Sequence, residues 1–318
     1  MCLYKILFLS LLIASTSSYA ESNPPEPEWL KFLLEEHRIK FNLPALAASI
    51  VVDGKIVAAS VVGIRKYGDN TPTQLNDRFH IGSIAKPFSV TMFARFIEQG
   101  FFSWNDTLRN MFPDFSMQAD YENVTIEQLL THISGMPYQP TIPESETDKY
   151  GKTLQKKREG YVIAALKDKP EAKPGTKHIY GGGHILVANY VENLMGLSYE
   201  ELMKEEIFIP LKLTTARFGS PSSPNKLDSP WEHIIENGKI KPVKPDYNQF
   251  QQARSPVGRN LCMSIIDLGR FAALHLKGSK GKSNYLKKET FNYLQTNSAE
   301  KNYSPAWAIG SANWAKGK

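Results

Sequence analysis

The residues best suited to chemistry in this sequence are a serine and a lysine three positions apart, Ser83 and Lys86. On a helix this spacing places both side chains on one face. A serine hydroxyl is a weak nucleophile until a base takes its proton, and a lysine that desolvation keeps partly neutral can be that base. The spacing alone is weak evidence, because the same pattern also begins at Ser223, Ser279 and Ser298.

The surroundings of Ser83 separate it from the other three serines. Gly82 precedes it, and we expect the missing side chain to let another backbone approach. Apolar residues at helical spacing follow it, which predicts a helix that begins at Ser83 and ends at Gly100. A nucleophile at a helix N-terminus gains the positive end of the dipole and a free N–H group for an oxyanion. The competing interpretation is that Ser83 only caps this helix and Lys86 lies on the surface.

Three further side chains are candidates for chemistry. Tyr180 stands between a Pro-Gly turn and the glycines at 181–183, and a phenol near lysines can move protons, although a buried structural tyrosine has the same pattern. His132 lies among apolar neighbours and is interpreted as a hydrogen-bonded structural histidine. Cys262, between Leu261 and Met263, is interpreted as a small buried apolar residue.

The elements that must position these residues follow from periodicity and turn signals. Apolar spacing from Trp29 predicts a first helix, and the β-rich stretch Ala45–Gly63 predicts a hairpin that turns at Asp53-Gly54. Helices dominate downstream, with capping boxes at Thr125 and Ser198 and closing glycines at Gly196 and Gly278. Strand character returns at 306–310, so we predict an α+β fold whose N- and C-terminal segments share one antiparallel sheet beside a large helical lobe. The Pro- and Ser-rich stretch 219–246 is predicted to be a long loop that borders a site.

Composition and the N-terminus narrow the class of protein. The 318 residues are 42% hydrophobic and 22% charged, with a net charge of only +6 and no long basic run, so nucleic-acid binding is not expected. Residues 1–20 read as a signal peptide, with Lys5 before an apolar stretch and a small residue at Ala20. We therefore predict an exported protein, periplasmic or extracellular, with one domain over 21–318 and no stable membrane insertion after cleavage.

Five segments in a fixed order resemble one family, the serine β-lactamase and penicillin-binding-protein-like hydrolases, on the side of the class C enzymes and esterases. They are His80–Lys86, Val124–Thr125 with Leu129–Pro137, Pro174–Thr176 before Tyr180, Phe208–Leu211, and Cys262–Ser264 before Asp267, Leu268 and Phe271. The resemblance implies a β-lactamase/DD-peptidase-like fold. It also implies that Ser83 is acylated, that Lys86 accepts its proton and that Tyr180 relays protons.

Two departures from the family pattern are visible. Gly182 stands where the family usually has an asparagine whose amide holds the lysine and the substrate. The resemblance implies that position 182 is a substrate-binding position, and without the amide β-lactam turnover is less expected than ester or peptide turnover. The family also carries a third motif on a strand after a segment like 306–310, and the chain is expected to lack this motif and the last strands.

The sequence lacks the motifs that mark two other classes of hydrolase. The chain has no Gly-x-Ser-x-Gly pentad of an α/β-hydrolase and no His-Glu-x-x-His zinc helix, and no cofactor or metal is expected. The expected partner is a small-molecule or peptidoglycan-like substrate. The remaining alternative is a non-catalytic or degraded family member that binds cell-wall peptide or a protein.

Overall fold

The computed structural model describes residues 23–138, 141, 148–245, 257, 260–296 and 303–310. The predicted signal peptide lies outside them. The helices with described bounds are α1 Glu28–Lys40, α2 Ala85–Glu98, α3 Leu108–Met111, α4 Ile126–Leu130, α5 Leu154–Lys167, α6 Gly183–Met195, α7 Tyr199–Met203, α8 Ile265–Ser279 and α9 Lys288–Gln295. The strands are β1 Ala45–Val52, β2 Lys55–Gly63, β3 Phe79–His80, β4 Arg217–Phe218, β5 Glu232–Glu236, β6 Lys239–Val243 and β7 Leu261–Met263. Within the described residues, no helix has the length and hydrophobicity that crossing a membrane requires.

The N-terminal hairpin forms as predicted. Strands β1 and β2 pair antiparallel from Ala45 with Gly63 to Val52 with Lys55, and both turn residues, Asp53 and Gly54, have positive φ. One face of the hairpin packs against Leu30 and Leu34 of α1. The other face meets α8, which approaches so closely that a Cβ on Gly269 would lie 2.9 Å from Ser49 Oγ.

Early and late parts of the chain share a sheet, but it is not the hairpin. Strand β7 pairs antiparallel with β3 on one side and β4 on the other. Among the described residues β1 pairs only with β2. The strand expected at 306–310 was a wrong prediction, because this segment forms a single bridge, between Tyr303 and Ala308. The α+β class itself is confirmed.

Helix α2 runs through the centre of the helical lobe. Eleven of its fourteen residues are buried, from Ala85 to Ala94 without interruption and again at Phe96. Phe88 stacks on Phe271 of α8 with ring centroids 3.6 Å apart. A helix that is buried on all sides is surrounded by protein, and its buried hydroxyls are paired, Ser89 with the hydroxyl of Tyr199 and Thr91 with the carbonyl of Pro87.

A buried network of ion pairs joins three helices of the helical lobe. The guanidinium of Arg158 on α5 has no exposed surface and donates to Glu192 of α6, 3.0 Å from Nε to Oε2, and to Glu200 of α7, 2.8 Å from Nη2 to Oε2. Glu192 also accepts the N–H of Tyr199 at 2.8 Å. The network therefore ties α5, α6 and the start of α7 together.

The helix caps and turns show where local sequence was enough and where it was not. The capping boxes at Thr125 and Ser198 form, and Gly196 ends α6 with φ 70°. Gly278 was wrongly predicted as a helix end. It lies inside α8, where a Cβ would be 2.1 Å from the ring of Phe291, so packing against α9 requires the glycine.

The predicted loop 219–246 contains a hairpin. Strands β5 and β6 pair antiparallel around Asn237-Gly238, both with positive φ. Asn-Gly is the strongest short hairpin signal, but the many prolines and serines around it favour a loop, so the composition of the stretch hid the hairpin.

Candidate active site

Ser83 lies at the entry of the central helix. Strand β3 ends at His80, and a short 3₁₀ turn, Gly82–Ile84, leads into α2. Gly82 has φ 54°, and a Cβ there would meet nothing within 4 Å, so the glycine is needed for its conformation and not for close approach as expected. Ser83 is exposed, and neither its hydroxyl nor its N–H has a hydrogen bond to another described residue.

Lys86 and Tyr180 are in direct contact. Lys86 Nζ donates to Tyr180 Oη across 2.6 Å and lies 4.6 Å from the centre of the tyrosine ring. Lys86 is 8% exposed although it follows an exposed serine by one turn. The structure therefore brings the predicted lysine and tyrosine together at the helix end that presents Ser83.

The glycines at 181–183 are explained by neighbours that leave no room for side chains. A Cβ on Gly182 would lie 1.9 Å from the hydroxyl oxygen of Tyr161, which comes from α5, and a Cβ on Gly183 would lie 2.4 Å from the carbonyl oxygen of Leu129. Gly182 has φ −81°, so its backbone would accept any residue. The Tyr161 phenol occupies the space into which a side chain at 182 would extend.

His132 is buried against the Tyr180 segment. Its backbone carbonyl accepts the N–H of Ile179 at 2.7 Å, and its ring Nδ1 accepts the N–H of Gly181 at 3.2 Å. The imidazole lies 4.4 Å from the Tyr180 ring, centroid to centroid. Burial, with smaller contributions from Lys86 and His178, lowers the pKa of His132 to about 3. The prediction of a hydrogen-bonded structural histidine is correct, but its contact with Tyr180 was not foreseen.

Other aromatic and imidazole rings complete the surroundings of Tyr180. His184, fully buried on α6, lies 5.1 Å from His132, and Tyr303 lies 5.1 Å from His132 and 5.5 Å from His178, all between ring centroids. Burial and the nearby Tyr180 raise the pKa of Tyr303 to about 12. Tyr303 follows Tyr180 by more than a hundred residues, and no local signal pointed to it.

Tyr138 stands on the open side of Tyr180. It is 59% exposed, and its ring is nearly parallel to that of Tyr180 at 6.3 Å between centroids. Sequence analysis did not identify it, although it directly follows the Gly135-Met136-Pro137 turn. Tyr138 therefore adds an exposed aromatic ring beside Tyr180.

The competing candidates lie in different environments. Ser223 donates to Asp228 at 2.7 Å, Ser279 donates to the carbonyl of Leu276, and Ser298 lies outside the described residues. Cys262 is completely buried, as predicted, and burial raises the pKa of its thiol. In the described part of the chain, no three histidine, cysteine or carboxylate side chains are grouped as a metal site requires.

Comparison with known proteins identifies related chains. A family model described as Beta-lactamase matches residues 33–315. Penicillin-binding protein 4 of Amycolatopsis lactamdurans is 25% identical over 243 residues, which cover 75% of this chain and 61% of that protein. The octameric penicillin-binding protein homologue from Pyrococcus abyssi has a TM-score of 0.67 at 24% identity, over 85% of this chain and 60% of the other.

A third similar structure is EstCE1, a hydrolase with promiscuous acyltransferase activity, with a TM-score of 0.69 at 16% identity over 89% of this chain and 81% of that one. At such identities the structural likenesses show the fold, and they confirm the expected β-lactamase-like architecture. The chain spans 61% and 60% of the lengths of the two penicillin-binding proteins.

Proposed function

The chain belongs to the β-lactamase family, and on that premise we propose that it is an exported serine hydrolase that forms an acyl-enzyme on Ser83. The observation that carries the proposal is the 2.6 Å hydrogen bond between Lys86 and Tyr180 beside an exposed serine at the entry of α2. A buried lysine hydrogen-bonded to a half-buried phenol, one helical turn from a serine hydroxyl that has no partner among the described residues, is an arrangement suited to moving protons during acyl transfer.

In the proposed reaction Ser83, Lys86 and Tyr180 act first in the acylation of Ser83 and again in the hydrolysis of the acyl-enzyme. Lys86 takes the proton of Ser83 as Oγ forms a bond to the substrate carbonyl carbon, and the Ser83 N–H stabilises the oxyanion. Tyr180 passes the proton to the leaving group as the bond between carbon and leaving group breaks. In the second half, water gives its proton to the same pair and attacks the ester carbonyl. Ser83 leaves with a proton, and the acid product is released.

The proposed substrate is a small-molecule or peptidoglycan-like acyl donor, which means an ester, a D-amino-acid peptide or a β-lactam. Gly182 offers no side chain to the site, and Tyr161 fills the adjacent space. Any contact from position 182 to the substrate is therefore made by backbone, so an ester is the first substrate to test. Nucleic acid is not proposed as a partner.

Export is proposed from the pattern of residues 1–20, with the functional chain in the periplasm or outside the cell. The second candidate function is that of a non-catalytic protein that binds cell-wall peptide or a protein partner. It is favoured by one observation, the absence of a side chain at Gly182. Covalent labelling of Ser83 separates the two functions.

The decisive experiment exposes residues 21–318 to a fluorophosphonate and, separately, to a penicillin, followed by mass spectrometry of the peptides. We expect the added mass on the peptide that contains Ser83 and none in Ser83→Ala. Ser279→Ala is the matched control, since Ser279 begins another Ser-x-x-Lys pattern away from Tyr180, and it should label normally. A label that persists in Ser83→Ala, or no label in the unaltered chain, contradicts the proposal.

A further inference from the structure

We propose that His132 is a positioning residue for Tyr180, which it holds against Lys86 by hydrogen bonds to the residues on both sides of the tyrosine. The inference rests on the proposed function, because the value of the position comes from the proton transfer. His132 touches Tyr180 and not the reacting atoms, so its effect on the reaction is indirect.

The two hydrogen bonds form a clamp around Tyr180. The N–H of Ile179 is bound by the His132 carbonyl and the N–H of Gly181 by the His132 ring. The backbone on either side of Tyr180 is therefore attached to a single residue. Both neighbours of Tyr180 are thus held, and the imidazole packs 4.4 Å from the phenol ring, centroid to centroid, while the hydroxyl meets Lys86 Nζ at 2.6 Å.

The backbone of His132 sets the direction of its ring. Its φ of 61° is left-handed, a conformation that is uncommon for non-glycine residues but in which asparagine, aspartate and histidine are enriched. His132 directly follows the C-cap of α4, where a left-handed residue commonly ends a helix. This chain reversal lets the ring of His132 accept the Gly181 N–H.

The clamp works only with a neutral imidazole. Nδ1 must keep a lone pair to accept from Gly181, which assigns the ring proton to Nε2. Among the residues that the structure describes, the groups that face the ring are Lys86, His178, Tyr180, His184 and Tyr303, and none of them is a carboxylate. None of these five groups favours the imidazolium form.

Two substitutions separate the acceptor from the backbone conformation. His132→Asn and His132→Gly both suit the left-handed φ, and both remove the ring. Only asparagine places an acceptor oxygen near the position of Nδ1. Steady-state hydrolysis of a p-nitrophenyl ester is measured for the full chain and both variants, beside fluorophosphonate labelling of Ser83 and thermal melting.

We expect His132→Gly to lower kcat about 10- to 100-fold with KM changed less than about threefold, since small misplacements of a catalytic group have effects of this size. The kcat of His132→Asn should be at least tenfold higher than that of His132→Gly. Equal kcat in the glycine variant and the unaltered chain overturns the proposal, and so does equal damage in both variants. If His132→Gly does not fold, His132→Asn alone decides: kcat within about threefold of normal supports the clamp, and a larger loss overturns it.

Failure of this inference is distinguishable from failure of the proposed function. If the unaltered chain is not labelled at Ser83, the proposed function is wrong, and the positioning role of His132, which depends on it, is wrong as well. If Ser83 labels normally and the ester is hydrolysed, but the two variants behave alike, only the positioning role of His132 is wrong.

Discussion

At the scale of single residues, Lys86 combines features that usually exclude each other. Its ammonium is almost completely buried, yet the only hydrogen-bond partner that the described residues give it is the neutral hydroxyl of Tyr180. The nitrogen lies 4.6 Å from the centre of the same ring, at the edge that carries the hydroxyl and not over the ring face. The buried nitrogen of Lys86 is therefore fixed beside the phenol hydroxyl, within the distance that a proton transfer between the two groups requires.

Replacing Lys86 by methionine keeps most of the packing of the side chain and removes proton transfer. The acylation rate of Ser83 should fall about 10²- to 10⁴-fold, the usual contribution of general base catalysis, while the melting transition stays cooperative. Stopped-flow acylation with a chromogenic ester measures the effect. Lys282→Met is the matched control, taken from the Ser279 pattern, and should acylate normally. A near-normal rate with weakened binding in Lys86→Met would make this lysine an electrostatic anchor instead.

Gly182 is constrained by a neighbour rather than by its own backbone. Gly182→Ala should lower the free energy of unfolding by about 1–3 kcal/mol, because the new Cβ would overlap the Tyr161 hydroxyl. Tyr161→Ala should relieve the overlap, so the double variant is expected to be less destabilised than the sum of the single ones. Urea denaturation measures all three. Gly181→Ala, whose Cβ would lie 3.2 Å from the Pro137 carbonyl, is the milder control. Strict additivity would contradict the argument.

At the scale of elements, the buried ion pair of Arg158 and Glu192 is expected to destabilise the fold when one of its charges is removed and much less when both are removed. Arg158→Met leaves the buried carboxylate of Glu192 without its partner, and we expect a loss of about 3–5 kcal/mol. The double variant Arg158→Met with Glu192→Leu removes both buried charges and should recover most of the loss. Chemical denaturation of the single and double variants provides the measurement. A double variant as unstable as Arg158→Met would show that the pair is not the cause.

Sequence patterns predicted most of the elements whose signals are local, although the hairpin at Asn237-Gly238 was missed despite its local turn signal. The first hairpin, the capping boxes and the helix after Ser83 depend on neighbours in sequence, and they were foreseen. Gly278 was misjudged because the reason for the glycine, the ring of Phe291, belongs to another helix. The same limit applies to the site. Ser83, Lys86 and Tyr180 stand in recognisable motifs, whereas the contacts of Tyr161 and Tyr303 arise only when distant segments meet.

At the scale of the whole molecule, three buried histidines are expected to make the fold less stable in mild acid. Burial lowers the pKa of His132 and His275 to about 3, and that of His184 well below its usual value. The unfolded chain takes up protons near pH 6.5 and the folded chain does not, so stability is complete above about pH 6.5 and declines as the pH falls toward 3. Each histidine contributes a slope of about 1.4 kcal/mol per pH unit within that window.

Melting curves between pH 7 and 4.5 test this dependence. The melting temperature should fall steadily below about pH 6.5, before most carboxylates titrate. His275→Gln keeps an amide near the Thr91 hydroxyl and should reduce the slope by the contribution of one proton. A flat profile down to pH 5 would mean that these histidines are hydrated in solution.

The central position of α2 has a consequence for how activity is lost. A helix with neighbours on every side exposes its backbone only when the surrounding layers open, and core helices open at or near the free energy of global unfolding. The amide hydrogens of the helix that carries Lys86 should therefore be among the slowest in the lobe to exchange with solvent. Loss of activity in denaturant should then coincide with the cooperative unfolding of the lobe.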